Sequence, residues 1–496
     1  MKRLLAIALL AVACRSEKPL GPVDLVLMNG RFFTGGPFAE AVAIRGNRIV
    51  AIGKTVDLEK LQTTRGIDLL GKLVVPGIND AHVHQPWSIA GEQLEIPPNT
   101  SSGLLLRMIR DKTERTRDGT WIQVHTFMEP PDLTRASLDR IAPRHPVAVR
   151  NFAGHRALLN SAALKAWNIT NSDGWLYENA LWTKDRAATE AATDAELVAA
   201  MKKFANEAVR YGITSVQSMP SAHPDRVAPL VAQIDVPLRW RWIEVEMGTV
   251  PDDPKWPTKY IADGTPVERD AAMREPYSDQ PNTRGAMNFT DDQIRRAVEV
   301  AAKSKQQLLF HAAGELPIEK FFAAMKSIRA DWPAKRVRVE HGDFIAEFLP
   351  DAKRLGVIVV QNPSHFMIAD IVRARYGEER LKNFQAFRSL IDAGMPVAIG
   401  SDGPINPWQN IMFATMHPTN PKEAITVEQA LIAYTRGSAR AEFEEKEKGT
   451  IAVGMIADLA VLSQDIFKVP PPDLPKTESV LTIIDGRVVY EVASGR

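Results

Sequence analysis

A chain of 496 residues, 45% hydrophobic and 24% charged, can bury a large core, which excludes a disordered protein and leaves room for one large α/β unit with a smaller companion. Its 61 basic and 60 acidic residues are interleaved and sum to a formal net charge of +1, so no nucleic-acid footprint is present and a small-molecule partner is expected. The one cysteine, Cys14, excludes a disulfide framework within the chain.

The N-terminus reads as an export signal. Met1-Lys2-Arg3 is a basic head, Leu4 to Ala13 is apolar but too short to span a bilayer, and Ala11-Val12-Ala13 supplies the small residues of a cleavage site. Residues 1–13 are therefore expected to be removed. Cys14 follows directly, which resembles the lipobox of bacterial lipoproteins, where the new N-terminal cysteine is acylated. Simple secretion is the alternative, and both readings put the protein in the cell envelope, with membrane contact only through a lipid anchor at Cys14.

From Val23 to Val75, short apolar alternations are punctuated by Asn29-Gly30, Gly46-Asn47 and Gly71, which read as hairpins. The other end repeats the style, with Ala457 to Leu462 followed by two strands around Asp485-Gly486. Residues 20–76 and 447–496 together are expected to form a small β-sandwich, since each set alone leaves a face uncovered. Between them, strand-like and helix-like segments alternate. Eight buried-strand candidates are the His82 segment, 213–217, 238–245, 259–262, 307–311, 337–341, 357–361 and 396–402. Capping boxes at Thr290-x-x-Gln293 and Thr426-x-x-Gln429 open helices between or after them. The expected fold class is α/β, a (β/α)8 TIM-like barrel over residues 77–446, with 88–200 too long for one crossover and read as an insertion over the barrel mouth.

The polar residues on these strands carry the chemistry. His82 and His84 stand two apart after an apolar run, so on a strand both imidazoles share a face. Lys259, His311, His341 and Asp402 stand on or just after other strand candidates, mostly at the C-terminal ends, where barrel strands open on one cavity. A lone buried histidine needs only one hydrogen-bond partner and is usually structural. Four histidines with an aspartate point to a metal site.

The segments PGINDAHVH, FHAAGE, VEHGD, QNPSHF, IGSDGP and the tail GTIAVGMIADLAVL together resemble the amidohydrolase superfamily, and within it the amidohydrolase-3 group that includes YtcJ-like hydrolases and N-substituted formamide deformylase. The resemblance covers nearly the whole mature chain. It implies one or two divalent ions, zinc being the expected metal, with His82 and His84 on the first and His311 and His341 on the second. Lys259 would bridge them as a carbamate, although a lysine in so short a segment is ordinarily solvated. Asp402 would bind the first ion and, as the catalytic residue, exchange protons with the attacking water. The implied reaction is hydrolysis of a non-peptide C–N bond, such as an N-acyl, N-formyl or cyclic amide. The same chemistry suits esters, lactones or phosphoesters, and a non-catalytic binding lipoprotein is the reading from another class.

His155, in a segment that relatives usually write Asp-Gly-His, reads equally as a substrate contact or as a capping or core histidine before a helix, while His365, just past the seventh strand, and Asn406 are expected to contact substrate. Asn406 and Trp408 follow Asp402 in a loop placed to shape the pocket, Trp408 by packing. His125, His145, His223 and His417 have no partner pattern and read as structural or surface residues. WIQVHTFMEPPD and ADGTPVERDAAM depart from the family pattern, which leaves the substrate open. An oligomer is compatible with the sequence, which sets no number of subunits.

Overall fold

The computed structural model describes residues 20–86, 91–170 and 173–492. The expected signal sequence and Cys14 lie outside the described residues. No described helix is long and apolar enough to cross a membrane.

Both chain ends meet in one sheet. Its order runs Arg31–Phe32, Leu73–Pro76, Leu459–Leu462, Ser479–Ile484, Arg487–Glu491, so strands from residues 31–76 lie beside strands from the last forty residues. A second sheet orders Arg48–Gly53, Ala41–Arg45, Val23–Met28 and Thr63–Asp68. One apolar cluster takes Leu25, Leu27, Val42 and Ile44 from this sheet and Phe32, Val74, Leu459, Val461, Leu481 and Ile483 from the other. Two turn signals close hairpins as the sequence predicts: Gly46-Asn47 joins paired strands, and Asp485-Gly486 takes left-handed φ values of 52° and 71° between its two strands. Asn29-Gly30 and Gly71 do something else. Each carries the chain from one sheet to the other, because Gly30 lies hard against the Phe32 ring and Leu69, and Phe32 drops into the shared core.

The long middle of the chain holds parallel strands. Ile78–Val83, Ile213–Ser218 and Arg239–Trp242 form a three-stranded sheet. Glu244–Glu246, Thr258–Ile261, Leu308–Ala312, Arg338–His341, Ile358–Gln361 and Val397–Ile399 form a six-stranded one, each strand parallel to its neighbours. The segment expected as one strand over 238–245 is broken at Ile243, whose N–H bonds the Ser218 carbonyl while the N–H of Glu244 turns to that of Pro257. That break joins the two sheets edge to edge. At the opposite edges, no ladder pair links Ile78–Val83 to Val397–Ile399 among the described residues. They meet just beyond the ladder, where Asp402 N–H donates to the His82 carbonyl at 2.9 Å and Ser401 N–H to Asp80 Oδ1 at 2.8 Å. Helices cover the outside. Helix Asp291–Lys303 starts at the expected capping box, Thr290 and Gln293 each accepting from the other's backbone N–H, and the same exchange opens Val427–Ile432.

Residues 92–177 build a sheet of their own, ordered Trp175–Tyr177, Arg156–Leu159, Val147–Arg150, Ile122–Thr126, Glu92–Ile96. Helices Ser102–Thr113 and Arg135–Ile141 cover one of its faces through Leu105, Ile109 and Leu138. Ile96, Phe127, Phe152 and His155 from this stretch, with Trp182 from the helix Glu178–Glu190 that follows it, wall a cavity of about 500 Å³ at the strand ends.

Candidate metal centre

The parallel strands bring the predicted polar residues together, most of them at or just past the C-terminal ends. His82 lies on the Ile78–Val83 strand, with His84 just past it, and Lys259, His311 and His341 lie on the next strands of the six-stranded sheet; Asp402 follows the last of them. Asp402 and His341 both have left-handed backbones, φ 44° and 64°, a conformation that costs a non-glycine residue energy and is held here by the surrounding contacts. Asp402 is the hub. Its Oδ1 lies 3.1 Å from His84 Nε2 and 3.4 Å from His82 Nε2, and its Oδ2 lies 3.2 Å from His365 Nε2 and 3.8 Å from His341 Nδ1. Lys259 is buried with Nζ 3.0 Å from His82 Nε2. Of the strand-end residues, Lys259, His311, His341 and Asp402 line the cavity, together with His84, His155 and His365.

Electrostatics prepare these groups as donors. Burial, reinforced by the Lys259 charge, pushes His82 down to about 4. Burial likewise holds His311 and His341 well below the usual imidazole value, with Lys259 acting on the first and His311 on the second. For Asp402, burial opposes ionisation, but the surrounding imidazoles, His82 foremost, outweigh it and keep the carboxyl well below its usual range. Burial lowers Lys259 to about 8. Neutral imidazoles at His82, His311 and His341 beside the Asp402 carboxylate are the donor set a borderline divalent cation such as zinc takes, while at His365 the Asp402 carboxylate outweighs burial and raises the imidazole above its ordinary value. Two groups of three converge closely enough to hold an ion: His82, His84 and Asp402, and His341, His365 and Asp402. His365, expected to touch substrate, thus stands beside His341 in a converging triad. His311 packs its ring 4.4 Å from that of His341 but turns Nε2 toward Asp263 Oδ1 at 3.4 Å and the Gly264 carbonyl at 3.5 Å.

His155 faces the cavity with Nδ1 2.9 Å from Glu178, whose carboxylate, against the effect of burial, raises the imidazole above its ordinary value. Asn406 is a correction to the expectation of substrate contact. Its Oδ1 caps helix Pro407–Met416 by accepting from Trp408 and Gln409, and its amide donates to the Pro475 carbonyl, so the side chain is spent on structure and does not line the cavity. Trp408 is fully buried packing, as expected. His125 pairs with the Gln93 side chain at 2.8 Å and also lines the cavity beside Arg150.

Three contributors escaped the sequence reading. Glu340 accepts from His82 Nδ1 at 2.6 Å, and Arg338 pairs with Glu340 at 2.7 Å, all three fully buried. The signal was present in Arg-Val-Glu-His, since two opposite charges alternating with valines on a buried strand must face the same interior and pair. Glu178 had no such signal. It lies 23 residues from His155 and meets it only through the fold of the 92–177 sheet.

The profile of the amidohydrolase family matches residues 65–490. The chain is 28% identical to the putative amidohydrolase YtcJ of Bacillus subtilis, over 92% of this chain and 97% of that protein. It is 26% identical to an N-substituted formamide deformylase of Arthrobacter pascens, over 94% and 98% of the two chains. Among solved structures it resembles an uncharacterized metal-dependent hydrolase from Pyrococcus furiosus, with TM-score 0.71 and 23% identity, covering 90% of this chain and 100% of that one.

Proposed function

Because this chain belongs to the amidohydrolase family, we propose that it is an exported, metal-dependent hydrolase of small non-peptide amides, with N-substituted formamides, by likeness to the Arthrobacter relative, the first class to test. The observation that carries this reading is the convergence of His82, His84 and Asp402, the last two of which line a cavity whose far side carries apolar residues. His82, His84 and Asp402 would hold one zinc ion, and His341 with His311 or His365 a second. A zinc ion held there supplies a Lewis acid and an activated water. The neutral amine of Lys259 is the form that would combine with CO2, losing one proton, to give an N-carboxylate whose oxygens would add to the donors of the site.

The chain's own groups do the rest. Asp402, ionised and hydrogen-bonded on both oxygens, accepts the proton of the attacking water and passes it to the leaving nitrogen. His155, oriented by Glu178, reaches substrate from the opposite wall. Ile96, Phe127, Phe152 and Trp182 exclude water and accept an apolar N-substituent, for which about 500 Å³ leaves ample room beside a formyl group. The parallel strands are read as a closed (β/α)8 barrel and the two terminal sheets as a β-sandwich beside it, with 88–200 as the insertion that roofs the cavity. Residues 1–13 act as the signal and Cys14 as the anchored mature N-terminus.

Purified protein assayed for bound metal by mass spectrometry, and for turnover of N-formyl, N-acetyl and cyclic amides beside matched esters, tests the reading. Zinc at one or two per chain with amide turnover is the expected result. Ester turnover without any amide turnover, or no metal and no activity after zinc addition, overturns it. Mass analysis of the mature N-terminus tests the anchor, which an unacylated Cys14 would refute.

A further inference from the structure

We propose that Arg338 and Glu340 form a strut across the inside of the parallel strands that fixes the ring orientation and tautomer of His82, making Glu340 a positioning residue for the metal centre. This rests on the reading of His82 as a metal ligand.

The two charges stand two apart on strand Arg338–His341, so they share a face, and both are fully buried. They reach a strand that is not their neighbour. Arg338–His341 pairs with Leu308–Ala312 and Ile358–Gln361, whereas Ile78–Val83 pairs with Ile213–Ser218. Across that gap the contacts fall on two consecutive residues. Arg338 Nη2 donates to the Ala81 carbonyl at 2.8 Å, holding the backbone, and Glu340 Oε2 accepts from His82 Nδ1 at 2.6 Å, holding the side chain. Arg338 also donates to Glu340 Oε1 at 2.7 Å, to Oε2 at 3.0 Å and to the Gln217 side chain, which leaves little freedom to either charge.

The chemical consequence follows from the imidazole's two nitrogens. With Nδ1 donating its hydrogen to a carboxylate, the lone pair sits on Nε2, and Nε2 is the atom that faces Lys259 Nζ and Asp402 Oδ1. A carboxylate behind a ligating imidazole sets its tautomer and raises its basicity, and losing such a partner typically weakens metal binding about 10- to 100-fold. A buried ion pair kept only for stability has no such requirement, since apolar residues of similar volume serve as well.

The test compares the parent with Arg338→Met/Glu340→Leu, which removes both charges while keeping volume, and with Glu340→Gln, which keeps shape and removes charge. Two readouts are taken: the His82 tautomer in metal-free protein by 15N-histidine NMR, assigned with His82→Asn, and zinc affinity by chelator competition. The parent is expected to show the Nδ1–H tautomer alone, the double variant a mixture with zinc bound about 10- to 100-fold more weakly, and Glu340→Gln a loss of at least about 10-fold. A folded double variant with the parent's tautomer, or zinc affinity within about twofold of the parent in the variants that fold, overturns the strut. Should the double variant not fold, Glu340→Gln decides alone. A parent that binds no zinc overturns the metal reading, while the tautomer in the same sample still decides the strut.

Discussion

Asp402 gathers four imidazoles within 4 Å, and their interactions outweigh the burial that opposes its charge. Replacing it by Asn removes a proposed ligand oxygen and the proposed proton acceptor, so kcat/KM on whichever amide is turned over is expected to fall about 10²- to 10⁴-fold, measured beside metal content to separate the two losses. His417 makes a different prediction. It is buried against Phe366 and Phe387, donates from Nε2 to the Gln385 carbonyl at 2.9 Å and accepts the Asn420 N–H on Nδ1 at 3.1 Å, so only one neutral tautomer fits. Burial holds it below the ordinary imidazole value of 6.5. The unfolded chain therefore binds a proton that the native state refuses. The stability tied to neutral His417 is complete above pH 6.5 and is lost as pH falls from there toward the depressed native value. Thermal melts between pH 7.5 and about 5 are expected to show a falling midpoint, with a shallower fall in His417→Gln. An unchanged slope in that variant would remove His417 from the account.

At the scale of elements, the seam between Ile78–Val83 and Val397–Ile399 matters most, because no ladder holds it among the described residues. It is closed by proximity. A Cβ on Gly400 would overlap the Cβ and backbone nitrogen of His82, so only glycine lets the end of the last strand approach the first. Gly400→Ala is expected to cost about 1–3 kcal/mol in chemical denaturation and to lower bound zinc, because the strain falls directly on a proposed ligand. The turns show how far local signals reach. Asp485-Gly486 and Gly46-Asn47 close hairpins between strands that are also tertiary partners. Asn29-Gly30 carries the same local chemistry, yet Phe32 gains more by entering the shared core than by pairing back on Val23–Met28. The break at Ile243 is of the same kind: the apolar run over 238–245 looks like one strand, but its two halves bond different neighbours.

For the whole molecule, the last strands are as necessary as the first. Ser479–Ile484 pairs with Leu459–Leu462, which pairs with Leu73–Pro76, the segment that leads into Ile78–Val83 and His82. Deleting residues 479–492 removes Leu481 and Ile483 from the shared core and bares the edge of Leu459–Leu462. The truncated protein is expected in the insoluble fraction on expression, and a soluble, cooperatively melting product would show that the terminal sheets are dispensable. The sequence by itself determined the α/β class of fold, the placement of His82, His84, Lys259, His311, His341 and Asp402 on or just past buried strands, and both capping boxes, because periodicity and capping are written within a few neighbouring residues. Tertiary structure alone decided which of those residues converge. His365 rather than His311 joins His341 and Asp402 in a triad, Asn406 caps a helix, and Glu178 and Glu340 reach His155 and His82 across 23 and 258 residues. The pattern Arg-Val-Glu encodes the local pair of Arg338 with Glu340, but the reach of Glu340 to His82 and of Glu178 to His155 depends on how distant segments are brought together, which no local pattern encodes.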